Sequence, residues 1–216
     1  MSVGSELLHI KTSLPTGVTL IAVSKTKPQE LITEAYQTGH RDFGENYVQE
    51  LCDKYEQLPK DIRWHFIGHL QSNKVKYIAP FVYMIHGIDS FKLLKEVNKE
   101  AKKNNRIINC LLQLFIAKEE TKFGLSFEEA DAILNGDELK TLENISIKGF
   151  MAMASNTENL EQIRSEFRSV KTYAAKHPQL TVLSYGMSSD LKIAIEEGST
   201  MIRIGSSIFG ERSYNK

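Results

Sequence analysis

The chain has 216 residues, and its 27 lysines and arginines are balanced by 27 aspartates and glutamates. Zero net charge argues against a protein dominated by duplex nucleic acid or an anionic membrane surface. No run approaches the ~20 apolar residues of a membrane span, the opening MSVGSELLHIKTSL has no secretory signal pattern, and Cys52 and Cys110 form neither a CxxC pair nor a disulfide framework, so a cytoplasmic protein is expected.

The simplest organisation is one domain over residues 1–216. A short helix near residues 2–12 is closed off by Pro15 and Gly17. Val18–Val23 is apolar on both faces, as buried parallel strands are. Pro28 suits the first turn of a helix carrying Leu31, Ile32 and Ala35, and Gly39 suits its C-terminal cap. A short strand near Arg41–Phe43 leads through Gly44-Glu45-Asn46-Tyr47 into a polar helix ending about Gln57. Ile62–Ile67 is the next strand, then Gly68-His69-Leu70-Gln71, a helix ending near Pro80, and a strand at Phe81–Ile85. A helix from about Ser90 places Leu94, Val97 and Ala101 on one side. Ile107–Phe115 is a long apolar strand, followed by the loop Lys118–Gly124 and a helix near Ser126–Leu134. After a strand at Ile145–Met151, the residues Leu160, Ile163, Phe167, Val170 and Ala174 repeat with helical period, and Ser155 and Glu158 have capping-box spacing at the start. A strand at Thr181–Ser184, a helix from about Ser188 to Glu197 stopped by Gly198, and a strand at Thr200–Ile204 complete the pattern.

Eight strands with a helix after nearly every one imply a parallel α/β sheet, and a single (β/α)8 TIM barrel accommodates them better than an open doubly wound sheet. Chemistry in such barrels sits at the carboxyl ends of the strands. Those ends carry Lys25, Asn46, His69, His86 with Asp89, Lys118 to Gly124, Met153 to Asn156, Gly186 to Ser189 and Gly205 to Ser207. The last two loops follow strands seven and eight, where this fold commonly binds phosphate, although glycine and serine also simply make turns and caps. Thr19, Ile21, Val23 and Lys25 share one strand face, so an inward face would put the Lys25 ammonium inside the barrel mouth. Desolvated there near a second cation such as Arg203, it would become nucleophilic towards a carbonyl. A solvated surface lysine is the plainer reading, and Lys118 and Lys122 compete for the role. His65 and His69 would lie roughly 13 Å apart along a strand, and no further ligands with metal-site spacing accompany them, so no metal is expected.

The segments IAVSKTKP (Ile21–Pro28), FGENYVQE (Phe43–Glu50), WHFIGHLQSNK (Trp64–Lys74), GFMAMA (Gly149–Ala154), LSYGMSSD (Leu183–Asp190) and RIGSSIFGER (Arg203–Arg212), in this order, closely resemble the pyridoxal phosphate homeostasis proteins. That family is similar to the barrel, or N-terminal, domain of alanine racemase but lacks its second, β-rich domain. The resemblance implies pyridoxal 5′-phosphate (PLP) held as a Schiff base on Lys25. It implies Asn46 beside the ring, Arg203 facing the pyridine nitrogen, and Ser188 with the amides of Gly205 and Ser206 holding the phosphate. Met187 is a further lining residue, with Tyr47 and His69 carried over less directly; residues 91–144 receive no role.

An arginine opposite the pyridine nitrogen disfavours ring protonation, which makes the ring a poorer electron sink. That weakens a transaminase reading but leaves racemisation open, since the related racemase has the same kind of arginine; racemisation, however, needs a second acid or base, which that racemase takes from its second domain and partner subunit. The expectation is therefore a monomeric PLP carrier that buffers the aldehyde or delivers it to apo-enzymes. The alternatives are a slow PLP-dependent racemase or decarboxylase, and a cofactor-free lysine aldolase on the same barrel.

Overall fold

Apolar strands and amphipathic helices alternate around a closed ring in the computed structural model, which describes residues 2–118 and 123–211. The parallel strands are β1 Thr19–Val23, β2 Asp42–Glu45, β3 Arg63–Phe66, β4 Met84–Ile88, β5 Ile108–Leu114, β6 Ile145–Ala152, β7 Val182–Ser184 and β8 Met201–Ile204. They pair in sequence order, and β8 returns to β1 with Ile21 opposite Arg203. Helix α1 is Val3–Ser13; the crossovers carry α2 Gln29–Gln37, α3 Val48–Gln57, α4 Val75–Ile78, α5 Phe91–Lys103, α6 Phe127–Asn135, α7 Leu160–Ala174 and α8 Leu191–Glu196. A last short helix, α9 Ser206–Phe209, follows β8. Closure satisfies every strand edge, which decides for the barrel over the open sheet. Among the described residues no helix is long and apolar enough to cross a membrane.

Strand alternation sorts the side chains into two cores. Outward residues such as Ala22, Phe43, Trp64, Ile85, Leu112 and Phe150 pack under the helices. A separate cluster of Ile21, Met84, Leu111, Met151 and Met201 fills the barrel interior, with Met153 and Val182 packed against it. Ile21 therefore faces inward. The parity expected for β1 holds, and it carries Val23 and Lys25 towards the mouth.

Several boundaries differ from the sequence pattern. The fourth strand is Met84–Ile88, not Phe81–Ile85: the amides of Phe81 and Val82 still donate to the carbonyl of Ile78 at the end of α4, and Phe81 stacks on Tyr55 at 3.8 Å between centroids. Phe81 thus packs against α3 and Val82 is buried in the core, and neither joins β4. Ser155 does not cap α7. Its hydroxyl and amide both donate to Glu166 within that helix, at 2.7 Å each, and Asn159 caps instead by accepting from the amide of Gln162 at 3.1 Å. The polar stretch Asp137–Thr141 forms a 3₁₀ turn, and β2 runs two residues further than expected, to Glu45. That extension brings Asn46 to the rim.

Two glycines shape the rim. A Cβ on Gly68, just past β3, would lie 2.3 Å from the carbonyl oxygen of Asn46, so only glycine lets these backbones pass. Gly186 turns the chain after β7 with φ +100°, and a Cβ there would meet Ala194 of α8 at 2.5 Å.

Candidate functional site

Lys25, two residues beyond β1, is half-buried and lines a cavity of about 360 Å³ at the carboxyl end of the barrel. The same cavity is lined by Asn46 after β2, Met187 and Ser188 after β7, Arg203 on β8, and Gly205 and Ser206 after it. The residues singled out from sequence thus meet at one place. Strand order decides this, because closing β8 onto β1 sets the last two loops beside the lysine. The Ser188 and Ser206 hydroxyls are 3.3 Å apart, so the two loops face one another. Asp190 shapes the first loop by accepting from the amide of Met187 at 2.6 Å.

The position of Arg203 is tightly set. One guanidinium nitrogen donates to the carbonyl and hydroxyl oxygens of Ser184 at 2.7 and 2.8 Å, and the other to the carbonyl of Ala152 at 3.1 Å. Burial lowers its pKa to about 10, against the opposing charge of Asp190, so it stays cationic at neutral pH. Asn46, at the end of β2, also lines the cavity, and its Oδ1 is buried with no hydrogen-bond partner among the described residues. Lysine, buried guanidinium and paired hydroxyls suit a small ring bearing an aldehyde and an anionic group.

Other expected residues lie elsewhere. Tyr47, 60% exposed, and His69 line a separate, wider cleft of about 780 Å³ between α3 and α4 that shares only Asn46 with the lysine cavity. The strand end at Asn46 divides the two clefts, so His69 instead pairs with Asp89 at 3.1 Å and stacks on Phe123. Lys118, in the loop after β5, is absent from the cavity wall, and its amide donates to the Ser155 hydroxyl at 2.9 Å. Lys122 lies outside the described residues. Among the described residues no cluster of three histidine, cysteine or acidic side chains could hold a metal.

Three features were not foreseen. Lys27 lines the cavity and donates to the carbonyls of Gly210 and Glu211 at 2.9 and 2.7 Å, tying the β1 loop to the chain after α9. Beneath Arg203, a chain of hydrogen bonds crosses the barrel. His86 Nδ1 lies 3.1 Å from the Ser184 hydroxyl, His86 Nε2 lies 2.9 Å from His65 Nδ1, and His65 Nε2 lies 3.1 Å from Asp42 Oδ1. Arg63 closes the far end with two bonds to Asp42 at 2.7 and 2.5 Å. Burial holds both histidines below their usual pKa; Asp42 is raised by burial but lowered further by Arg63 and His65, so it stays ionised. Strand parity alone could have flagged His65, His86 and Ser184 as inward, but not their pairing across strands 21 and 98 residues apart.

The third feature lies behind β1, between the barrel and α3. Lys54 is buried there and donates to Glu45 Oε1 at 2.7 Å, Glu50 Oε1 at 2.6 Å and the carbonyl of Ser24 at 2.7 Å. Burial raises the Glu45 pKa to about 7, opposed by Lys54 and Ser24.

Residues 5–213 match the family described as "Alanine racemase, N-terminal domain". The pyridoxal phosphate homeostasis protein of Aquifex aeolicus is 41% identical over 201 residues, covering 90% of this chain and 87% of the relative. The chain is a member of the pyridoxal phosphate homeostasis protein family. The solved structure of Synechococcus elongatus PipY with PLP bound superposes with a TM-score of 0.89 at 35% identity, covering 97% of this chain and all of PipY. The alanine racemase of Clostridium difficile superposes at 0.79 with 13% identity over 99% of this chain and 58% of the racemase, a likeness of fold.

Proposed function

We propose that this protein binds PLP in the Lys25 cavity and serves cytoplasmic PLP homeostasis as a monomeric carrier, the described barrel forming one PLP-binding unit. The observation that carries the reading is the convergence of Lys25, Asn46, Arg203, Ser188 and Ser206 on a single cavity. Lys25 takes the aldehyde covalently. Arg203 faces the ring nitrogen as a donor, Asn46 and Met187 flank the ring, and Ser188 with the Gly205 and Ser206 amides holds the phosphate. PLP supplies an aldehyde that condenses with primary amines; the protein's own part is to hold it, shield it and release it to apo-enzymes. A cationic arginine donating to the ring nitrogen would disfavour protonation of that nitrogen and make the ring a poorer electron sink, which supports storage over carbanion chemistry.

The test is a visible spectrum of the purified protein after incubation with PLP. A Schiff-base band that disappears in Lys25→Ala is the expected result; a band that survives refutes the lysine. In parallel, transfer of PLP to an apo-enzyme is measured beside amino-acid turnover. Sustained racemisation or decarboxylation over many turnovers would overturn the carrier reading in favour of an enzyme.

A further inference from the structure

The buried Lys54 cluster touches the backbone on both sides of Lys25. Lys54 donates to the carbonyl of Ser24, and Glu50 Oε1, which also binds Lys54, accepts from the amide of Thr26 at 2.6 Å. Ser24 further donates its hydroxyl to Glu45 Oε1 at 2.6 Å, and its amide donates to the carbonyl of Gly44 at 3.0 Å. The peptide groups flanking Lys25 are therefore gripped from outside the barrel while its side chain points within. Thr26 also stands at φ +62°, a conformation that β-branched residues rarely adopt and that surrounding structure must impose. This turn sends the chain outward directly after the lysine.

A buried ion pair is weak evidence for stability alone, since apolar side chains of similar volume often serve as well. Here all three Lys54 donors are spent, one on backbone and two on carboxylates that themselves bind the same loop. Glu45 comes from β2, and Glu50 and Lys54 come from one face of α3 at i,i+4 spacing. The arrangement references the lysine loop to two rigid elements.

We propose that Lys54, held between Glu45 and Glu50, is a positioning residue for Lys25, fixing its backbone so that Nζ meets the bound aldehyde. The inference rests on the reading that Lys25 takes PLP covalently. In that step the neutral amine adds to the aldehyde carbon, the C–O bond breaks, and the oxygen leaves as water with both amine hydrogens as a C=N bond forms. Lys54 takes no part in those bonds. Its effect falls on the geometry of attack.

The experiment compares wild type with Lys54→Met/Glu45→Gln, which removes the buried charges together, and with Glu50→Gln, which keeps Lys54. Two quantities are read: the rate of C=N band formation with PLP, and the affinity for pyridoxamine 5′-phosphate, which fills the cavity but carries an amine where PLP has its aldehyde. The expected result is a rate reduced about ten-fold or more, with affinity for the amine analogue kept within about three-fold. Rates matching wild type in folded variants overturn the proposal. So does a parallel loss of rate, affinity and thermal midpoint, which would make the cluster purely structural. Borohydride trapping of wild type followed by peptide mass mapping separates the two readings: attachment at a lysine other than Lys25 refutes the proposed function itself, whereas attachment at Lys25 with unaltered variants refutes only the role of Lys54.

Discussion

Replacing Ser184 by alanine removes one hydroxyl from the barrel interior and leaves two neighbours short of a partner. The chain beneath Arg203 has a direction: arginine only donates and ionised Asp42 only accepts. With both histidines neutral, Arg203 donates to Ser184, Ser184 to His86 Nδ1, His86 Nε2–H to His65 Nδ1, and His65 Nε2–H to Asp42. In Ser184→Ala the His86 Nδ1 acceptor is stranded in a fully buried site, at a cost of about 1–3 kcal/mol, and Arg203 loses one charged hydrogen bond while keeping the Ser184 and Ala152 carbonyls. A destabilisation of about 2–4 kcal/mol follows, with Arg203 little displaced. Urea unfolding at neutral pH measures it, provided the denaturant slope is unchanged. A loss below about 0.5 kcal/mol would refute the claim that the hydroxyl links the chain. Nitrogen-15 spectra give a second check on wild type: both rings are expected as the Nε2–H tautomer, and Nδ1–H on either ring contradicts the direction.

Acidification should destabilise the fold. His40, His65 and His86 are held below their usual pKa of 6.5, chiefly by burial, so unfolded chains take up protons that folded ones refuse; stability is full above 6.5 and is lost as pH falls towards the folded values, at about 1.4 kcal/mol per unit for each fully neutral ring. Glu45 acts oppositely, since its folded pKa is raised by burial from 4.5 to about 7 and its contribution is lost as pH rises through that window. Urea titrations from pH 6.5 to 5 should therefore show falling stability, and a steeper fall in Glu45→Gln; a flat profile would mean the histidines are not buried neutral. Separately, Gly68→Ala must displace the Asn46 carbonyl 2.3 Å from the new Cβ, costing about 1–3 kcal/mol in unfolding free energy and weakening PLP affinity; an unaffected thermal midpoint and affinity would contradict the close approach.

Strand order was legible because a parallel strand buried on both faces leaves an unmistakable apolar run, as in TLIAV and INCLLQL. Boundaries failed where apolar residues served another purpose. Phe81 and Val82 read as strand because they are apolar, yet both amides bond back to Ile78 of α4, and Phe81 stacks on Tyr55. Ser155 read as a cap because its spacing allows one, yet Glu166, eleven residues on, captures it. Local pattern cannot weigh a distant partner.

The same division runs through the site. The sequence by itself determined that Lys25 continues one strand face with Ile21 and Val23, and that small-residue loops follow the last two strands, because a period of two and chain order are local properties. Whether that face looked into a barrel depended on β8 closing against β1. Tertiary structure alone decided that Lys25, Arg203, Ser188 and Ser206 share one cavity while Tyr47 and His69 fall into the next. It alone joined Arg203 to Asp42 through Ser184 and two histidines, and joined Lys54, directly and through Glu50, to the peptide groups on either side of Lys25. Those contacts are hydrogen bonds between residues far apart in the chain, and their strength lies in angles and burial that exist only once the strands have closed.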